Sequence, residues 1–193
     1  KATEGTWFKD SLYQYHLEES KKAGILTGAY HYYREGYSPS NQGKLFAKVY
    51  NDNGGTDMPP VLDVEKINNS KLTPSAVHDC LNEIEEKTGR KPIIYTGFYV
   101  WRDMLKGSSF GKNYPLWIAT YGAAPMIPPP WISWTFWQFS DAKGDENWYN
   151  GDVEILKKFC GIIQEDKPWY ESLTMEQKVN LLLDAHPELE GRP

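Results

Sequence analysis

The sequence predicts an α/β fold, an irregular TIM-like β/α barrel, with an open doubly wound sheet as the runner-up. Three observations predict it. Strand-like apolar runs alternate with amphipathic segments long enough for helices, the pattern of parallel β/α units. Two of those helical segments open on a cap followed by proline, at Ser38-Pro39 and Thr73-Pro74. The later strand-like runs lack a helix between them, so the sheet is expected to change character towards its end, and no internal repeat is present.

From the N-terminus, Asp10 is placed to cap a helix running to Lys22, with Leu12, Tyr15, His16 and Ala23 on one face and Gly24 as its stop. Residues 25–33 are β-rich and mostly apolar and read as a buried strand. The helix opened by Ser38-Pro39 carries Leu45, Phe46, Val49 and Tyr50, and residues 51–55 break it. Residues 59–65 form a short strand entered by prolines. The helix after Thr73-Pro74 sets Val77, Leu81 and Ile84 at core spacing and ends at Gly89. Residues 91–96 are a strand, 99–106 a helix, and 114–121 and 134–140 two further strands. Pro125 and Pro128-Pro129-Pro130 mark the loop between those last two. Asp152-Val153-Glu154 is expected to be a final strand or turn. After Pro168 the pattern resets: Thr174 and Gln177 have capping-box spacing, and Val179, Leu182 and Leu183 give an apolar stripe. The chain therefore divides into a domain over residues 1–167 and a helical tail or linker over 168–193.

Composition limits the function. The 193 residues suffice for one domain that buries about 70% of its unfolded surface without disulfides or metal. With 40% hydrophobic and 24% charged residues, disorder is excluded as the main state. A net charge of -5 without a basic stripe argues against a nucleic-acid partner. No apolar run approaches the ~18 residues of a membrane span, so no membrane insertion is expected. Lys1-Ala2-Thr3-Glu4-Gly5 forms no signal peptide, which points to a protein made in the cytoplasm, with secretion as the alternative. Cys80 and Cys160 are too far apart to read as a metal pair and are expected as buried thiols. Neither metal-ligand spacing nor a Gly-rich phosphate loop occurs, so no metal or cofactor is expected.

Aromatic residues reach 15%, with 8 Trp and 13 Tyr. They enlarge a core, and their flat apolar faces also match the C–H face of a pyranose. In a β/α barrel the reactive groups gather at the C-terminal ends of the strands. There the run PPVLDVE delivers Asp63 and Glu65, two positions apart and so on one side of the strand, their Cβ atoms ~7 Å apart. Two like charges in a partly dry site repel, which raises the pKa of one and keeps it protonated. A proton donor beside an anion is what glycosidic cleavage requires. The plainer reading has both acids solvated and paired with Lys66 or Arg34. Tyr30, Tyr32 and Tyr33 share one strand, Tyr95 ends another, and Trp117 and Tyr121 flank a third. Trp137 and Gln138 supply an indole and an amide suited to a sugar acetamido group. His31 faces away from its tyrosine neighbours and is expected to be packed and hydrogen-bonded.

These segments resemble family 25 of the glycoside hydrolases, the lysozymes common among phage endolysins and bacterial autolysins. The matching stretches are KATEG (1–5), GAYHYYR (28–34), PPVLDVE (59–65), PIIYTG (92–97), PLWIATY (115–121), WTFWQFSD (134–141) and GDVEIL (151–156), in the family's order. The resemblance implies an N-acetylmuramidase that cuts the β-1,4 bond between N-acetylmuramic acid and N-acetylglucosamine. It makes Glu65 the general acid, Asp63 the carboxylate that orients the acetamido group or stabilises developing positive charge, and Asp152 a further acid of the site. It places Tyr32, Tyr95, Trp117, Tyr121 and Trp137 along the sugar groove. In the family KATEG closes the second strand, so the barrel is expected to be N-terminally incomplete, without the first strand and its Asp.

The implied partner is the glycan strand of bacterial peptidoglycan, acted on in the cell wall. Two mechanisms remain open: attack on the anomeric carbon by the substrate's own acetamido oxygen, or by Asp63. Two rival functions also follow from the missing strand. One is a non-catalytic peptidoglycan-binding module or inactive fragment. The other is a structural or assembly protein that self-associates through open barrel edges.

Overall fold

The computed structural model describes residues 1–65, 71–163 and 174. One eight-stranded sheet organises the domain, formed by β1 (Thr3–Glu4), β2 (Phe8–Lys9), β3 (Tyr30–Tyr32), β4 (Val61–Val64), β5 (Ile93–Gly97), β6 (Leu116–Ala119), β7 (Phe136–Ser140) and β8 (Glu146–Tyr149). Its order is β2-β1-β3-β4-β5-β6-β7-β8. The six strands from β1 to β7 run parallel, and an antiparallel strand lies at each edge, β2 against β1 and β8 against β7. Among the described residues the sheet does not close. It is nonetheless barrel-like rather than doubly wound: one face packs against the three longer helices, and much of the other lines an open groove.

On the convex face His31, Leu62, Val64, Ile94, Leu116 and Ile118 are fully or almost fully buried. Leu62, Val64 and Ile94 join a core with α1 (Tyr13–Lys22), α2 (Pro39–Asp52) and α3 (Pro74–Thr88) through Leu17, Phe46, Val77, Leu81 and Ile84. The concave face carries Val61, Ile93 and Phe136 at its base, packed with Tyr149, Leu156 and Phe159. The last two come from α4 (Val153–Phe159), which covers that base. Two residues further along the strands, on the same face, lies the chemistry described below.

Local sequence explains most elements. Ser38 caps α2 by accepting from the Asn41 N–H at 3.3 Å, with Pro39 at the first position. Thr73-Pro74 opens α3, although the Thr73 hydroxyl makes no cap bond, and Gly89 ends it in the left-handed conformation at φ 67. Helices α2 and α3 touch at Gly43, where a Cβ would fall 2.7 Å from the Glu83 Cβ. Both cysteines are free and buried, as expected.

Several expectations need correction. Asp10 does not cap α1: it turns the chain two residues earlier, accepting from the Leu12 N–H at 2.9 Å, and Leu12 is the N-cap. Only residues 30–32 of the expected 25–33 strand join the sheet. Thr27 is held instead by the Asp57 carboxylate, through its N–H and its hydroxyl, each at 2.7 Å. The expected 99–106 helix contains a π-helical segment, Val100–Met104, stopped by positive φ at Lys106 and Gly107. Asp152-Val153-Glu154 is neither strand nor turn but the start of α4, and β8 precedes it. The edge beside β1 is covered by β2. Apart from Thr174, the expected tail over 168–193 lies outside the described residues.

Arg90 ties the base together. Its guanidinium donates to the carbonyls of Thr56, Asp57, Met58 and Cys160 and to the Tyr50 hydroxyl, at 2.6–3.1 Å. Arg90→Ala leaves those oxygens unmatched and is expected to cost about 3 kcal/mol in urea unfolding. Arg90→Lys should recover less than half, since an ammonium cannot span the set.

Candidate active site

The register of the central strands builds the site. Asp63 on β4 lies directly between Tyr32 on β3 and Tyr95 on β5. Tyr95 in turn lies beside Trp117 on β6, with ring centroids 5.8 Å apart, and Ala119 pairs with Gln138 on β7. These concave-face residues line a groove of about 580 Å³. Glu65 and Tyr121 reach it from just beyond their strands, Arg34, Asp141 and Asp145 from loops, and Glu4, Tyr30 and Asn147 from β1, β3 and β8. Asp63 and Glu65 thus meet on one side of one strand, as their spacing requires.

Burial sets the electrostatics. Asp63 is only 7% exposed, and its Oδ1 is enclosed with no hydrogen-bond partner among the described residues. Loss of water, reinforced by the Glu65 charge, pushes its carboxyl up to about 8. Glu65 is also raised, by its own partial burial and then by Asp145 across the groove. The Tyr95 and Tyr32 hydroxyls oppose that shift. The Tyr95 hydroxyl also lies 2.5 Å from Gln138 Oε1, so its single proton is divided between that amide and the Glu65 carboxylate. Near neutral pH the two acids therefore hold a proton, and in the free protein the more enclosed Asp63 keeps it. Arg34 does not neutralise the pair; it is committed to Glu4, with Nε donating at 2.7 Å. Lys66, the other expected counter-ion, lies outside the described residues.

Tyr32, Tyr95, Trp117, Tyr121 and Gln138 all line the groove as expected. The Trp117 indole N–H donates to Asn147 Oδ1 at 2.8 Å, which fixes the ring against β8. Two expected residues are not brought to the groove. Trp137 neighbours Gln138 on one strand and must point the other way; its indole N–H donates to the Thr120 carbonyl at 2.7 Å. Asp152 is the N-cap of α4, accepting from the Ile155 N–H at 2.8 Å, and does not line the groove. His31 is a buried structural residue, with Nδ1 2.7 Å from the Thr3 hydroxyl and Nε2 3.2 Å from Gln42 Oε1. Tyr33 is core. Sequence reasoning missed Glu4, Asp141, Asp145 and Asn147. The acid-rich turn between β7 and β8 was the available signal, hidden because β8 itself was not recognised.

A barrel-like sheet that presents paired carboxyls at a strand end, in a groove of tyrosine, tryptophan and amide side chains, has the build of a glycoside hydrolase. Residues 1–148 match the sequence profile of glycosyl hydrolases family 25, and the chain belongs to that family. It is 35% identical over 175 residues to YegX of Escherichia coli K12, a match covering 86% of this chain and 63% of that protein. It is 32% identical to Lysozyme M1 of Streptomyces globisporus, over 83% of this chain and 58% of that one. The chain thus spans less than two thirds of the length of these relatives. Among solved structures, a family GH25 lysozyme from Aspergillus fumigatus superposes with a TM-score of 0.73 at 34% identity, covering 82% of this chain and 84% of that one.

Proposed function

We propose that the protein is a peptidoglycan hydrolase, an N-acetylmuramidase cutting the β-1,4 bond between N-acetylmuramic acid and N-acetylglucosamine in the bacterial cell wall. The observation that carries this reading is the Asp63–Glu65 pair, both with raised pKa, on the floor of an aromatic groove. Glu65 protonates the leaving glycosidic oxygen. The substrate's acetamido oxygen attacks the anomeric carbon as that bond breaks, and Asp63 orients the acetamido group by accepting its N–H. That contact favours ionised Asp63, so substrate entry moves the shared proton towards Glu65, where it is needed. Water then opens the cyclic intermediate, giving its proton back to Glu65. This substrate-assisted route needs no protein nucleophile.

The cell wall is the place of action in this reading. Among the described residues no helix is long and apolar enough to cross a membrane. The test is turbidity of purified cell walls, with the sugar at each new chain end identified after borohydride reduction. Clearing with reduced muramic acid is expected. New glucosamine ends would overturn the bond assignment, and sedimentation with the walls without any new ends would favour a binding module.

A further inference from the structure

Beyond the groove, the rim next to β1 carries an aromatic pair that the hydrophobic core does not use. Trp7 sits in the turn between β1 and β2, and Tyr37 in the loop that leads from β3 to α2. Their ring centroids are 4.6 Å apart with planes at 51°. Trp7 remains 54% exposed and Tyr37 49%, and neither belongs to the packed clusters. One exposed ring is ordinary, but two in tilted contact beside a groove are a surface.

The indole is held in place by the backbone beneath it. Gly5 has φ +53, and a Cβ there would fall 2.2 Å from a Trp7 ring carbon, so the ring rests directly on the glycine. The ledge is also continuous with the groove. Glu4 and Arg34 line the groove on these same two segments. The Arg34 guanidinium pairs with Glu4 and lies 4.9 Å over the Tyr32 ring, joining the central tyrosines to the ledge. Strand β1 lies two strands from β4, which is about 10 Å across the sheet. A sugar ring on the ledge would therefore belong to the same chain as the bond at Glu65 but not flank that bond.

We propose that Trp7 and Tyr37 form an outer sugar subsite that packs against an N-acetylhexosamine ring of the glycan strand. The proposal rests on the glycan-cleaving reading above. The apolar C–H face of the sugar covers the rings, and Glu4 and Arg34 face its hydroxyl and amide groups. Such a subsite makes the protein prefer long strands over short oligomers.

The test measures binding of peptide-free glycan strands, fractionated by length, to the full chain carrying Glu65→Gln so that nothing is cut. Adding Trp7→Ala and Tyr37→Ala is expected to weaken binding of long strands about tenfold, equivalent to about 1.4 kcal/mol. The deficit should shrink as the oligomers shorten, and Trp7→Phe should restore most of the affinity. Undiminished affinity for long strands, or a deficit equal at every length, overturns the proposal. Tyr37→Ser alone, a loop substitution, applies the same criterion should the double variant not fold. The two readings fail separately: ring-dependent binding by a wild-type chain that opens no bond would remove the hydrolase alone, and cleavage without ring-dependent binding would remove the subsite alone.

Discussion

Glu65→Gln is expected to slow cell-wall clearing by about 10²–10⁴-fold, the range removed when a positioned general acid is lost. The amide matches the carboxyl in shape and still meets the Tyr32 and Tyr95 hydroxyls, so affinity for glycan strands and thermal stability should change little. Turbidity and strand binding measured side by side separate these effects. Clearing at more than a few per cent of the native rate would remove Glu65 from the chemistry. Because burial and Asp145 raise Glu65, the native rate should persist to higher pH than an ordinary carboxylic acid would allow. Asp145→Asn should lower that alkaline limit, read from the pH dependence of clearing.

Asp63→Asn should abolish most activity and yet stabilise the fold. In the native protein Asp63 holds its proton up to about pH 8, whereas in the unfolded chain it releases it near pH 4. Folding therefore takes up a proton between those values. The associated stability is complete below about pH 4 and is lost as the pH rises through 8. The amide cannot ionise, so the variant should exceed the native protein by on the order of 3–5 kcal/mol at pH 8, with the gap closing towards pH 4. His31 works in the opposite direction: burial lowers its imidazole to about 4, so its contribution is complete above pH 6.5 and lost as the pH falls through 4. The native profile carries both trends, and the variant should lose that of Asp63 and keep that of His31. Urea unfolding from pH 4 to 9 reads both. Equal stabilisation at every pH would show that the Asp63 charge is not the source.

The parts of the site that were legible in the sequence are those governed by strand periodicity. Asp63 and Glu65 are two residues apart on a short apolar strand, and no tertiary detail is needed to put them on one side. Tyr32, Tyr95 and Trp117 follow once parallel pairing aligns the strand ends. The same rule, applied to Trp137 and Gln138, forbids both from entering the groove, and resemblance to sugar-binding sequences obscured it. Asp152 was ambiguous for another reason. An acid before a valine and an isoleucine suits a strand end or a helix cap, and the seven-residue α4 is too short to declare its period. Residues 146–149 form β8 without the apolar alternation that marks a strand, because their partner β7 supplies the pairing. That omission concealed Asp145 and Asn147. The π-helical segment has no local signature, since it depends on burying Trp101 against Trp131 and Phe110.

The strict alternation along β4 has an evolutionary consequence. Substitution at Val61, Leu62 or Val64 alters packing by degrees, but deleting one residue inside the strand would exchange its two sides. Leu62 and Val64 would then face the sugar, and both acids would be pressed into the helical layer. Diversity among related chains should accordingly accumulate as insertions in connecting loops, while the lengths of the central strands stay constant.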